Sequence, residues 1–109
     1  MKILIVCDHG NNRSVSIAQR LKYWGHDILT AGLETNDKKT LWMLYEWADR
    51  IITTSRGQHV YGHFQDKVQL WQIGAGVYPR PLNRELLKKI DVLMDEHADE
   101  YRPLRPVKQ

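Results

Sequence analysis

Ile3-Leu4-Ile5-Val6-Cys7 is an unbroken apolar run, rich in β-branched residues and closed by Asp8-His9-Gly10. A run of this kind predicts a strand buried on both faces, which occurs in parallel sheets covered by helices on each side. The pattern downstream fits that expectation. From Val15 to Trp24 the apolar residues Ile17, Ala18, Leu21 and Trp24 recur at helical spacing, and Gly25 stops the helix. His26 to Thr30 reads as a second strand, closed by Ala31-Gly32. A polar loop over 33–37 offers Asn36 or Asp37 as the cap of a second helix, from about Lys38 to Asp49. That helix carries Leu41, Leu44, Tyr45 and Ala48 on one stripe.

Ile51 to Thr53 makes a third strand, and Ser55-Arg56-Gly57 turns into a short helix bearing His59 and His63. Val68 to Ile73 makes a fourth strand, followed by a Gly74-Ala75-Gly76 loop that ends in Pro79-Arg80-Pro81. Asn83 caps a last helix, predicted to bury Leu86, Leu87, Ile90, Leu93, Met94 and His97. Strand and helix thus alternate four times. The expected fold is α/β: three layers, with a four-stranded parallel sheet, right-handed crossovers and helices on both faces. Ligands of such sheets gather at the carboxyl ends of the strands near the topological switch point. The loop after the first strand is therefore where chemistry is expected.

The chain's 109 residues suit one domain, read as residues 1–101, with 102–109 a flexible basic tail. A single cysteine excludes an intramolecular disulfide and a four-cysteine zinc site. A net charge of +3 without a basic block gives little reason to expect nucleic acid and none to expect a membrane surface. The longest apolar run is too short to span a bilayer, and Lys2 before it does not make a signal peptide. A reduced, cytoplasmic protein without a cofactor is the expectation.

The loop reads Cys7-Asp8-His9-Gly10-Asn11-Asn12-Arg13-Ser14. A thiolate is the nucleophilic form of cysteine, and a helix N-terminus with a nearby guanidinium stabilises that anion. The residues between Cys7 and Arg13 can curl so that successive N–H groups converge on one point as an anion nest. Gly10, Asn11 and Asn12 tolerate the backbone conformations such a curl needs. Arg13 offers a planar fork matched to two phosphate oxygens, and Ser14 can donate a hydrogen bond to the thiolate. The loop reads as an oxyanion site. Its candidate phosphate-binding residues are Asp8, His9, Gly10, Asn11, Asn12 and Arg13.

An apolar strand, Cys-x5-Arg-Ser and a helix resemble the low-molecular-weight protein tyrosine phosphatases, especially the small bacterial and phage type. Thr30-Ala31-Gly32 is similar to that family's Ser-Ala-Gly, and Glu46-Trp47-Ala48-Asp49-Arg50-Ile51-Ile52 to its Trp-Ala-Asp before an apolar strand. His59 falls where the small members often carry a histidine. The resemblance runs from Lys2 to the final helix. It implies that Cys7 attacks phosphorus to form a phosphocysteine, that Arg13 and the backbone of 8–13 hold the equatorial oxygens, and that Ser14 assists the thiolate. It further implies a phosphorylated protein or a small phosphoester as substrate.

The sequence departs from that family in one important place. The family's general-acid aspartate follows the fourth strand, whereas Ile73-Gly74-Ala75-Gly76-Val77-Tyr78-Pro79 contains no carboxylate. General acid catalysis is worth about 10²–10⁴-fold, so good aryl leaving groups are favoured over alkoxides. His9 titrates near neutrality and is a candidate replacement, while Asp8, beside an anion site, is expected to point outward. His59, Tyr78 and Arg80 are other candidates to overhang the loop, and Tyr78 can stack on an aryl substrate. The missing acid also leaves open a phosphate- or nucleotide-phosphate-binding module on the same fold. Retention of Cys7, which pure binding does not need, weighs against that reading. The loops of phosphocysteine carriers generally do without the arginine, so Arg13 counts against that reading, and an arsenate reductase would need an external thiol. His59 and His63 stand a helical turn apart without a third ligand nearby, so no metal is expected. Trp42 projects away from its helix's core stripe and is expected to be half-buried in packing, with a partner surface as the alternative.

Overall fold

The computed structural model describes residues 1–7, 12–54, 60–71 and 84–101. Four strands, β1 (Lys2–Cys7), β2 (Asp27–Gly32), β3 (Arg50–Thr53) and β4 (Val68–Leu70), form one sheet in the order β2-β1-β3-β4. Every pairing is parallel, with Cys7 opposite Gly32 and Val6 opposite Thr53. The continuous apolar run is thus a central strand. Ile3 to Cys7 are fully buried because helices α1 (Asn12–Tyr23), α3 (Arg84–Glu96) and α4 (Ala98–Tyr101) cover one face. Helix α2 (Lys38–Trp47) and a 3-10 helix (Gly62–Lys67) cover the other.

Strand alternation sorts the core. Ile3, Ile5 and Ile52 pack with Ile17, Leu21, Ile90 and Met94 on the α1 face, whereas Leu4, Val6 and Ile51 pack with Leu41, Tyr45 and Phe64 on the α2 face. Each such aliphatic side chain contributes about 1.5–3 kcal/mol on burial. The α/β, three-layer, four-stranded parallel sheet expected from the sequence is the fold observed.

Local chemistry sets the element ends. Gly25 adopts φ +93° after α1, its N–H donating to the Lys22 carbonyl at 2.9 Å and that of His26 to Leu21 at 3.3 Å. That is a Schellman ending, which requires the left-handed conformation glycine takes without strain. Asp37 caps α2, accepting from the Thr40 N–H at 2.7 Å. This backbone hydrogen bond holds the Asp37 carboxyl below its ordinary range. At the other end of α2, Lys67 donates to the carbonyls of Tyr45 at 3.0 Å and Ala48 at 2.9 Å. A cation there complements the helix dipole.

Several expected boundaries move. Helix α1 begins at Asn12 rather than Val15, and α2 ends at Trp47 because Ala48 turns extended. The short helix is a 3-10 segment that includes His63, while His59 lies outside the described residues. Strand β4 ends at Leu70, and 72–83 also lie outside, so the fourth-strand extension to Ile73, the Asn83 cap and the Gly74 to Pro81 loop are not described. The last helix breaks at His97 into α3 and α4. Leu44, Leu87, Leu93 and His97 are half-buried, not core.

Gln69 ties the C-terminal helix to the sheet. Its Oε1 accepts from Trp71 Nε1 at 2.8 Å and from the Tyr101 hydroxyl at 2.7 Å, and its Nε2 donates to Glu100 at 2.9 Å. Glu100 also pairs with Arg50. Burial raises the Glu100 pKa, but the hydrogen bonds from Arg50 and Gln69 outweigh it and hold the carboxyl below its ordinary range. Trp71 and Tyr101 are fully buried, and His97 stacks on the Trp71 indole at 4.8 Å.

Candidate active site

Strand β1 pairs with β2 on one side and β3 on the other, so the strand order reverses at its flanks. The carboxyl end of β1 is consequently the switch point where an open α/β sheet presents its crevice. Cys7 is the residue there. By alternation it falls on the face of Ile3 and Ile5, beneath α1. It is fully buried.

Neighbouring strands build the rest of that end. The Leu33 N–H donates to the Cys7 carbonyl at 2.9 Å. Gly32, opposite Cys7, has its carbonyl held by the Asn36 N–H at 3.2 Å and by Asn36 Nδ2 at 2.9 Å, which folds the turn after β2 back on the strand. On the other side the Thr54 hydroxyl donates to the Val6 carbonyl at 3.3 Å. Ser16, Thr53 and Thr54 are buried polar residues at this end of the molecule. The sequence reading passed over them. Their signal was weak: Thr53-Thr54 closes an apolar strand, and Ser16 follows the polar first turn of a helix.

Asn12, Arg13 and Ser14 form the first turn of α1 rather than the end of a loop. The backbone N–H groups of a first turn have no intrahelical partners and carry the positive end of the helix dipole. No acidic residue stands in that turn to neutralise it. Cys7 is thus separated from a helix N-terminus by residues 8–11 alone. Asp8, His9, Gly10, Asn11 and Tyr78 lie outside the described residues.

Other candidates fall elsewhere. His63 is exposed and stacks on Trp42, their ring centroids 5.6 Å apart, on the α2 face. Among the described residues no group of three or more His, Cys, Asp or Glu gathers where a metal ion would sit. No described helix is long and apolar enough to cross a membrane.

The sheet order and the helices on both faces define the three-layer α/β class. The same fold is found in the solved structure of YwlE arginine phosphatase from Geobacillus stearothermophilus. The two superpose with a TM-score of 0.58 at 18% identity, over 93% of this chain and 97% of that one. No protein-family profile matches the sequence, and no curated protein matches it.

Proposed function

We propose that this protein is a cysteine-dependent phosphatase that hydrolyses aryl phosphomonoesters of the phosphotyrosine kind. The observation that carries the reading is the position of Cys7: the carboxyl end of the central strand, at the switch point, with the first turn of α1 beginning at Asn12. The fold likeness to a protein named as an arginine phosphatase supports phosphoryl chemistry on this architecture. In the reaction, the Cys7 thiolate attacks phosphorus and the P–O bond to the aryl group breaks. The aryl oxide leaves and takes a proton from solvent. Water then attacks the phosphocysteine, its proton passes to solvent, and the thiolate departs as inorganic phosphate is released. Arg13, with the backbone N–H groups of the loop and of the α1 first turn, holds the non-bridging oxygens as charge builds on them, and Ser14 steadies the thiolate.

Without a carboxylate between Ile73 and Pro79, the leaving group departs unassisted by an acid of the usual kind. Phenolates tolerate this, whereas serine alkoxides do not. The same absence is the one feature favouring a phosphate-binding module instead. Hydrolysis of para-nitrophenyl phosphate by wild type and Cys7→Ser, in reductant and without added metal, separates the two. The phosphatase reading expects turnover that Cys7→Ser abolishes. A folded wild type that binds phosphate but shows no turnover would establish the binding module.

A further inference from the structure

We propose that an apolar notch on the α2 face is a docking site for an acidic stretch of polypeptide carrying a large apolar or aromatic side chain. The notch has a volume of about 320 Å³ and is lined by Lys38, Lys39, Trp42 and Tyr61. That space accommodates one side chain, not a strand of bases.

Its floor is rigid. Trp42 is 41% exposed, yet its ring is fixed by a hydrogen bond from Nε1 to Glu46, by stacking on His63 at 5.6 Å and by edge contact with Phe64 at 4.8 Å. Tyr61 flanks it at 5.8 Å. An exposed aromatic surface already held in place loses little freedom when a partner lands on it.

The rim is positive where helix stability would ask for the opposite. Lys38 and Lys39 occupy the first turn of α2, where the dipole favours carboxylates. Asp37 is engaged by the Thr40 N–H, and among the described residues neither ammonium has a carboxylate partner. Two unpaired cations beside an apolar floor complement an acidic segment with an apolar anchor. A nucleic acid would call for an extended basic track, and the net charge is only +3. The notch also stands at the right end of the molecule. Helix α2 starts after the turn that leaves Gly32, the register partner of Cys7, so its first turns lie at the carboxyl ends of the strands. The docked segment is assigned as the sequence flanking a phosphorylated residue. That assignment rests on the phosphatase reading, whereas the preference for acidic peptide does not.

The test titrates the full chain with a labelled decapeptide, a central tyrosine flanked by Asp and Glu, and with its Asn/Gln counterpart, by fluorescence anisotropy. The peptide's phosphotyrosine form and para-nitrophenyl phosphate are then assayed for turnover. The double variant Lys38→Glu/Lys39→Glu keeps α2 intact, since acids suit a first turn. It should bind the acidic peptide about tenfold more weakly and the Asn/Gln peptide unchanged. Trp42→Ala should weaken both peptides about fivefold. In the charge-reversed variant kcat/KM falls for the phosphopeptide and stays within about twofold for para-nitrophenyl phosphate. Acidic and neutral peptides binding alike, binding indifferent to charge reversal, or a single-stranded oligonucleotide binding more tightly than the acidic peptide would each overturn the proposal. Lysine-dependent peptide binding without any turnover would uphold the notch and refute the phosphatase.

Discussion

Replacing Gln69 by leucine should cost more than any single hydrogen bond, because two buried donors share its one oxygen. Trp71 Nε1 and the Tyr101 hydroxyl both end on Gln69 Oε1, at 2.8 and 2.7 Å, and both residues are fully buried. A buried donor left without an acceptor costs about 1–3 kcal/mol. Glu100 also loses a donor but keeps Arg50. Gln69→Leu should therefore destabilise the protein by about 3 kcal/mol, allowing for some relaxation. Tyr101→Phe removes one donor and leaves the oxygen with its other partner, so it should cost only about 1 kcal/mol. In the double variant Tyr101 no longer has an orphaned hydroxyl, and the combined loss should fall short of the sum by about 1 kcal/mol or more. Urea unfolding followed by tryptophan fluorescence measures this. With a slope of about 1.5 kcal/mol/M, Gln69→Leu lowers the midpoint by about 2 M. A decrease under about 0.5 M, or strict additivity in the cycle, would refute the shared-acceptor argument.

Gly25→Ala meets no steric obstacle, since nothing lies within 4 Å of the added methyl, but it forces alanine to φ +93°. The expected loss is about 1 kcal/mol, read as a lowered thermal midpoint; an unchanged midpoint would mean that the α1 ending is not held in this conformation. Burial, reinforced by the neighbouring Tyr61, pushes the Tyr45 phenol up from 10.0 to about 12. The folded state therefore holds this proton more tightly than the unfolded chain. The resulting stability is whole below pH 10 and is lost as pH rises through about 12. Tyr45→Phe should gain on wild type by about 2 kcal/mol across that window, by urea unfolding at each pH. Parallel losses in the two proteins would count against the buried phenol.

What the sequence revealed of the fold follows from where regular periodicity carries information. Strand β1 was legible because burial on both faces leaves a continuous apolar signature, and the end of α1 because only glycine suits its left-handed ending. The start of α1 was read too late. A first turn contributes no apolar stripe, and the signal begins only at Ile17 and Ala18. The 3-10 helix has no 3.6-residue pattern to detect. It is held by tertiary contacts, Phe64 against the α2 core and Lys67 on the α2 carbonyls. Tyr101 was invisible for a related reason. It closes a run of mostly charged residues; it is buried in the core cluster of Ile3, Ile5 and Trp71 and held by Gln69 on its hydroxyl and the His26 ring nitrogen on its carbonyl at 2.6 Å, partners far away in sequence.

What the sequence and the topology share at the candidate site is a single position, the end of β1. Open α/β sheets bind ligands where the strand order reverses, and here the residue at that end of the central strand is the chain's one cysteine. The buried polar side chains among the described residues reinforce the point, since Ser16, Thr53 and Thr54 all sit toward that end while the rest of the core is apolar. Burying a hydroxyl costs free energy unless a partner is supplied, as the Val6 carbonyl is for Thr54. The buried positions earlier in β1 and β3, Ile3 to Val6 and Ile51 to Ile52, are all aliphatic. Thr53 and Thr54 lie where β3 ends, beside the end of β1, and Ser16 lies early in α1, which begins after that end. On the proposed reading, hydroxyls at this end would add fixed dipoles to those of the α1 first turn, the kind of preorganised environment that stabilises developing negative charge.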